Sequence, residues 1–359
     1  MATQIDSKAK TIMLFSQLSN INFNYSASIP DLEANSDRIE TIISSDNVAS
    51  QKIKALWDCD WQVVWGPALN YSLIDLPGKH HANNSMFVAK GMDKATHKYV
   101  YIVAIAGTNG LSWFEEFGED IDVKKIVLWN AENPEQGHIS RGSMTGLKKV
   151  LGKFKYGSNE MLMEFFAAEI QQIGADNIEI ITCGHSLGGA LSPLVALKIK
   201  ETYPTIPVST YPTAGPTSGD VAFAKYAENT LGANNYISVI NTDDIVPMAW
   251  EHDTFSNISN VYNNDKFQHI ELDSQNPKEK FILNFLTKYA EGTADLNYTR
   301  IAKETEQTFE GQSKNANGGD VKFMDEALYQ HLDMYMIEFF KNENKFIVDF
   351  HELVHPQRS

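Results

Sequence analysis

Apolar residues along the chain follow two rhythms, one suited to strands covered on both faces and one suited to helices lying against them. Tyr99-Val100-Tyr101-Ile102-Val103-Ala104-Ile105 is nearly continuously apolar, as a strand reads when both of its faces are buried. Shorter strand signals are Ser85-Met86-Phe87-Val88-Ala89, Ile178 to Cys183, Pro207-Val208-Ser209-Thr210-Tyr211 and Tyr236-Ile237-Ser238-Val239-Ile240. Within residues 159–173, Met161, Leu162, Phe165, Phe166 and Ile170 fall on one helical face. Leu187 to Glu201 predicts another helix. Over the first 60 residues Ile39, Ile42 and Ile43, then Val48, Ile53, Leu56 and Trp57, have helical spacing. Trp61 to Ser72, with Gly66-Pro67 inside it, predicts an extended passage or loop.

Strands alternating with helices need crossover connections, so the sheet is expected to be mostly parallel and the class α/β. A single domain over 1–359 is expected, with 1–60 as an N-terminal helical segment. Residues 275–325 break the rhythm. They are largely polar, carry Asn315-Ala316-Asn317-Gly318-Gly319-Asp320, and predict an insertion. Helix resumes at about Ala327 and runs to about Asn342.

Composition narrows the function. A chain of 359 residues buries about three-quarters of its unfolded surface, so the core needs no staples. Two cysteines, Cys59 and Cys183, do not make a disulfide framework. A net charge of −16 argues against nucleic acid and against docking on anionic membranes. Transient adsorption to a neutral lipid interface through an apolar patch stays open. Met1 to Asn20 lacks a basic stretch followed by a long apolar run, and no segment has the length of a transmembrane span. The chain as given therefore reads as cytoplasmic, with secretion by another route open.

The chemistry starts at Gly184-His185-Ser186-Leu187-Gly188, a G-x-S-x-G sequence between the strand Ile178 to Cys183 and the helix from Leu187. A serine on a tight strand-to-helix turn has its hydroxyl pushed clear of the backbone, and the glycines let strand and helix approach. This setting makes Ser186 the expected nucleophile of an α/β-hydrolase fold, a mostly parallel central sheet flanked by helices. The acid and the base should follow in that order. Asp243 and Asp244 both lie just after the strand ending at Ile240, and Asp244 is the expected acid. Among His252, His269, His331, His351 and His355, His331 is favoured because it opens a helical stretch. His269 sits in an alternating segment and reads as a strand residue, and His351 and His355 lie near a terminus expected to be less restrained. The oxyanion donors are expected to be the backbone N–H groups of Leu187 and Thr108, the latter in the loop Gly107-Thr108-Asn109-Gly110. No cofactor or metal is required; His80-His81 are adjacent and point apart.

These residues resemble the class 3 lipases, the group of the filamentous-fungal triacylglycerol lipases. Gly184-His185-Ser186-Leu187-Gly188-Gly189-Ala190 resembles that family's elbow, and Ala106-Gly107-Thr108 with Trp113 its oxyanion loop. His138-Ile139-Ser140-Arg141-Gly142, Ala214-Gly215-Pro216-Thr217-Ser218-Gly219-Asp220, Asp244-Ile245-Val246-Pro247 and His331-Leu332 with Tyr335 resemble further blocks, scattered over about 60–340. The resemblance implies a triad of Ser186, Asp244 and His331, an oxyanion hole at Thr108 and Leu187, and a non-catalytic role for His269. It also has departures. Ala106 stands where the family usually has arginine, Asp220 where it has asparagine, and 275–325 is long.

The expected function is a serine carboxylic-ester hydrolase, a lipase or esterase acting on acylglycerol-type or other small or lipid acyl esters. A phospholipase, thioesterase or acyltransferase would use the same triad, and a non-catalytic binding protein of this fold would lack a member of it. Leu111-Ser112-Trp113-Phe114-Glu115-Glu116-Phe117 suggests an amphipathic lid within 111–137, and Phe281 to Leu286 a second cap candidate.

Overall fold

Strands form where the apolar runs lie, and several extend beyond them. They are β1 (Ser26–Ala27), β2 (Gln62–Leu73), β3 (His80–Asp93), β4 (Lys98–Ile105), β5 (Ile126–Leu128), β6 (His138–Ser140), β7 (Ile178–His185), β8 (Val208–Thr213), β9 (Val239–Asn241) and β10 (Gln307–Phe309). The structure, a computed structural model, describes residues 5–73, 78–107, 122–276, 279–280, 283–284, 286–287, 292–314 and 321–356. The main sheet runs β2-β3-β4-β7-β8-β9-β10, with the short β1 also paired to β3. From β4 to β10 all neighbours are parallel, while β2 and β3 add an antiparallel edge. The fold is thus the mostly parallel α/β-hydrolase sheet flanked by helices.

The period-two alternation of the strands sorts their side chains into two cores. Tyr101, Val103 and Ile105 of β4 join Met86, Val88, Ile178, Ile180 and Leu191 on one face. Val100, Ile102 and Ala104 join Phe87, Ala89, Ile181 and Cys183 on the other. The second face is covered by both ends of the chain: Ile12 and Phe15 of the helix Ser7–Ser19, and Phe350 and Val354 of the helix Asn344–Val354, share its core. A third apolar cluster packs Ile245, Trp250, Tyr262 and Phe267 against Phe323 and Ala327.

Several expectations change. Trp61 to Ser72 is mostly strand β2, with register shifts around Trp65 and a cis Gly66–Pro67 peptide. Residues 275–325 are not wholly an insertion, because β10 within them pairs in parallel with β9 and completes the sheet edge. The segment around His269 is not a strand, since Gln268 and His269 both have φ near +58° (58° and 57°), which breaks any ladder. The stretch from Ala327 is one helical run in which a π-helical turn, Tyr329–Asp333, joins Phe323–Leu328 to Met334–Phe339. Of the lid candidate, 111–121 lie outside the described residues; 126–128 form β5, paired with β6. Phe281, Ile282 and Phe285 of the second cap candidate also lie outside them. Cys59 and Cys183 are both buried and unbridged. No helix among the described residues is long and apolar enough to cross a membrane.

Candidate active site

Ser186 stands between the end of β7 and the helix Leu187–Thr202, at φ 60° and ψ −126°. That backbone conformation is strained for a residue with a side chain, and strain of this kind collects at functional sites. Close packing holds it. A Cβ on Gly184 would lie 2.3 Å from the Gly188 backbone, and one on Gly188 would lie 2.1 Å from the Ile105 carbonyl oxygen. The Ser186 N–H donates to the Thr213 carbonyl at 3.0 Å, tying the turn to β8. Ser186 Oγ is buried and has no hydrogen-bond partner among the described residues. The Leu187 N–H opens the helix, so it is one of the first-turn donors that lack an intrahelical acceptor.

The acid and base are joined directly. His331 Nδ1–H donates to Asp244 Oδ2 at 2.8 Å, with both side chains buried. The same oxygen accepts from the Tyr335 hydroxyl at 3.0 Å, and Asp244 Oδ1 accepts from the Val246 N–H at 3.0 Å. Three donors therefore face a carboxylate with no exposure to water, which holds it in one orientation. Tyr335 lies four residues after His331, on the same helical side, and its oxygen also accepts the Asn241 N–H at 3.0 Å. Burial, then the charge of Asp244, pushes the Tyr335 phenol well up, so it stays a donor. Gln330, beside His331, is clamped by Asn241 Nδ2 at 2.8 Å and itself donates to Glu326 at 2.7 Å. Together these bonds fix the π-turn that carries His331.

Asp243 is committed elsewhere. Its Oδ2 accepts from Lys266 Nζ at 2.5 Å and from the Gly311 N–H at 2.8 Å. His269 is exposed and bonds Asp265 at 3.1 Å and Asn263 at 3.2 Å. His351 and His355 sit in the Ser186 cleft rather than on a loose tail, with rings 5.2 Å apart. The His252 side chain lies outside the described residues. Asp220, which departs from the family's asparagine, still caps the helix Val221–Leu231 by accepting from the Phe223 N–H, and it bonds His138 Nδ1 at 2.9 Å.

Thr108 lies outside the described residues, but Gly107 before it does not. The Gly107 N–H donates to Asn20 Oδ1 at 2.8 Å, and Asn20 Nδ2 donates to the Ser16 carbonyl at 2.9 Å. Asn20 is the C-cap of the first helix, so the N-terminal helix holds the start of the loop that Ala106 leaves without an arginine. A Cβ on Gly107 would lie 2.8 Å from the His185 carbonyl oxygen, so the loop runs close against the elbow. Nothing in the sequence around Asn20 distinguished it from an ordinary helix end.

His185 stacks on the His331 ring at 4.7 Å, with its Nδ1 3.1 Å from Thr213 Oγ1. Burial, then the facing His331, holds its imidazole well below the ordinary value of 6.5. The folded state therefore keeps His185 neutral, while the unfolded chain protonates it near that ordinary value. Its contribution to stability is present above that pH and is lost progressively as the pH falls below it. Melting temperatures of wild type and His185→Gln between about pH 8 and about pH 5 check this. The wild type is expected to lose more in acid; parallel curves would contradict it.

Ser186, His185, Gly107 and His331 line one cleft of about 320 Å³. Its remaining lining comes from both ends of the chain and is largely apolar, with Phe23, Met336, Ile337, Ile347, Phe350 and Val354 among its residues.

Residues 102–253 match the family model of lipase (class 3), a stretch that includes Gly107, Ser186 and Asp244 and stops before His331. A chloroplastic phospholipase A(1) of Arabidopsis thaliana is 31% identical over 153 residues, 40% of this chain and 32% of that protein. The match thus spans about a third of that relative's length. The solved structure of M37 lipase superposes with a TM-score of 0.73 over 98% of both chains at 24% identity, a likeness of fold.

Proposed function

We propose, from the match of residues 102–253 to the family model of lipase (class 3), that the chain is a serine carboxylic-ester hydrolase of the lipase and esterase kind. The observation that carries it is the buried Asp244–His331 contact of 2.8 Å in the cleft where the elbow presents Ser186. His331 takes the Ser186 proton as Oγ attacks the ester carbonyl. The N–H groups of Leu187 and Thr108 hold the oxyanion. The alcohol leaves with the proton from His331, and water, activated by the same imidazole, hydrolyses the acyl-enzyme. Asp244 fixes the tautomer of His331 and stabilises its cation.

Asn20 acts as a positioning residue for the oxyanion loop. Asn20→Leu removes the acceptor of the Gly107 N–H while keeping the side chain's bulk. A small displacement of an oxyanion donor is expected to lower kcat by roughly ten- to a hundredfold. KM should change little, because the loss falls on the transition state. Steady-state kinetics on a soluble ester separate the two constants. A rise in KM at unchanged kcat would contradict this role.

The substrate class is tested with emulsified tributyrin and with p-nitrophenyl butanoate. Stoichiometric release of butanoate by the purified protein is expected, and a folded protein that releases none overturns the reading. A phospholipase is the second reading, favoured by the named activity of the Arabidopsis relative. Faster acyl release from the sn-1 position of phosphatidylcholine than from a triacylglycerol would select it. The net charge of −16 favours adsorption to neutral lipid over anionic lipid. Flotation with triolein droplets and with anionic vesicles checks that preference.

A further inference from the structure

The matched family segment ends at residue 253, yet much of the cleft in front of Ser186 is built from residues outside it. Ile347, Phe350 and Val354 line it from the helix Asn344–Val354, Met336 and Ile337 from the helix that follows His331, and Phe23 from the N-terminal segment. We propose that this cleft is the acyl-chain site, that the C-terminal helix forms its selective wall, and that it favours acyl groups of medium length over short ones. The proposal rests on the ester-hydrolase reading.

The lining is suited to a hydrocarbon chain, and it starts at the reacting serine. A volume of about 320 Å³ gives room for several methylenes beyond the reacting carbonyl. Gln17, Asn20, Asp333 and the imidazoles of His351 and His355 also line the cleft, so only part of it can bury hydrocarbon. Within that part each buried methylene raises kcat/KM by about fourfold, about 0.8 kcal/mol.

A wall that selects by length has to be fixed, and this one is tied down from the other end of the chain. Arg38 donates to the carbonyls of Leu353 and Val354, at 2.5 and 3.5 Å, where the helix ends. The same guanidinium is held by Asn35 Oδ1 at 2.7 Å. At the start of the helix, Lys52 pairs with Glu343 and lies 5.3 Å from the centre of the Phe346 ring. The terminal helix is therefore anchored at both ends against the helices Ile29–Ser44 and Val48–Leu56.

The test is the kcat/KM profile over p-nitrophenyl esters from acetate to palmitate, each below its solubility limit. Wild type is expected to rise steeply from acetate through the medium-length esters and then level or fall. Ile347→Trp narrows the cleft and is expected to lower the decanoate-to-butanoate ratio by at least about tenfold. Phe350→Ala widens it and is expected to shift the maximum to longer esters. Val348→Trp, on the exposed side of the same helix, is expected to leave the ratio unchanged. A ratio unaffected by both cleft variants, in folded protein, overturns the proposal while the hydrolase reading stands. Absence of hydrolysis by wild type overturns the hydrolase reading itself. In that case decanoate binding to wild type and Ile347→Trp, followed by calorimetry, still decides the site: equal affinity, or none, rejects it.

Discussion

Ser186→Ala is expected to lower kcat by about a millionfold, leaving only the catalysis supplied by binding and the oxyanion donors. The reason is that the other groups of the site act through this one oxygen. His331 has no proton to take, no acyl-enzyme forms, and Asp244 stabilises a cation that no longer arises. The substitution removes one atom from a buried position whose hydroxyl bonds to nothing else among the described residues, so the fold should be little affected. KM is expected to stay within a few-fold, since Oγ contributes little to ground-state binding. Steady-state rates together with a thermal melt decide it. A variant that keeps even a hundredth of the wild-type rate would move the nucleophile elsewhere.

Asp244→Asn is expected to cost about ten thousandfold in kcat. The Asp244 carboxylate accepts from His331 Nδ1, Tyr335 and the Val246 N–H. An amide has one accepting oxygen for these three donors. Whichever way it turns, its NH₂ faces a donor, and the way to relieve a clash at His331 is the wrong tautomer, with Nδ1 bare and Nε2 protonated. The base then meets Ser186 with its proton already in place. Asp243→Asn is the internal control. Asp243 ties Lys266 and the Gly311 N–H rather than a histidine, so its loss is expected to appear as about 1–3 kcal/mol of stability and as a much smaller change in kcat. Comparable losses of kcat at the two positions would contradict the assignment.

The parts of the site that could be read from the sequence are those whose chemistry is local. The elbow announces itself because a β-branched strand, a serine between glycines and an apolar helix are contiguous, and the physical demand, close approach of Gly188 to the Ile105 carbonyl, needs residues with no side chain. Asp244 and His331 follow from chain order, but choosing Asp244 over Asp243 rests on three-dimensional partners that neighbouring residues do not encode. His269 looked like a strand residue because alternation is its only local signal. Two successive positive φ angles and bonds to Asp265 and Asn263 put it on the surface instead.

What escaped reading is tertiary. β10 is three residues long and its hydrophobic content is one phenylalanine, so its pairing with β9 depends on the sheet edge waiting for it. Asn20 looks like any asparagine ending a helix until the Gly107 N–H arrives from 87 residues away. The C-terminal helix carries Phe346 and Phe350 at a helical spacing, but its ends are held by Lys52 and Arg38, more than 290 residues earlier in the chain. The expectation of a loosely held terminus failed for that reason.

The central claim is that Ser186 is a nucleophile activated by His331 and Asp244. A fluorophosphonate probe followed by peptide mass spectrometry measures this without any assumption about substrate. One phosphonyl adduct per chain, on the peptide containing Ser186, is expected, with labelling slowed by orders of magnitude in His331→Ala. A folded protein left unmodified under conditions that label a known serine hydrolase, or an adduct on a different residue, would contradict it.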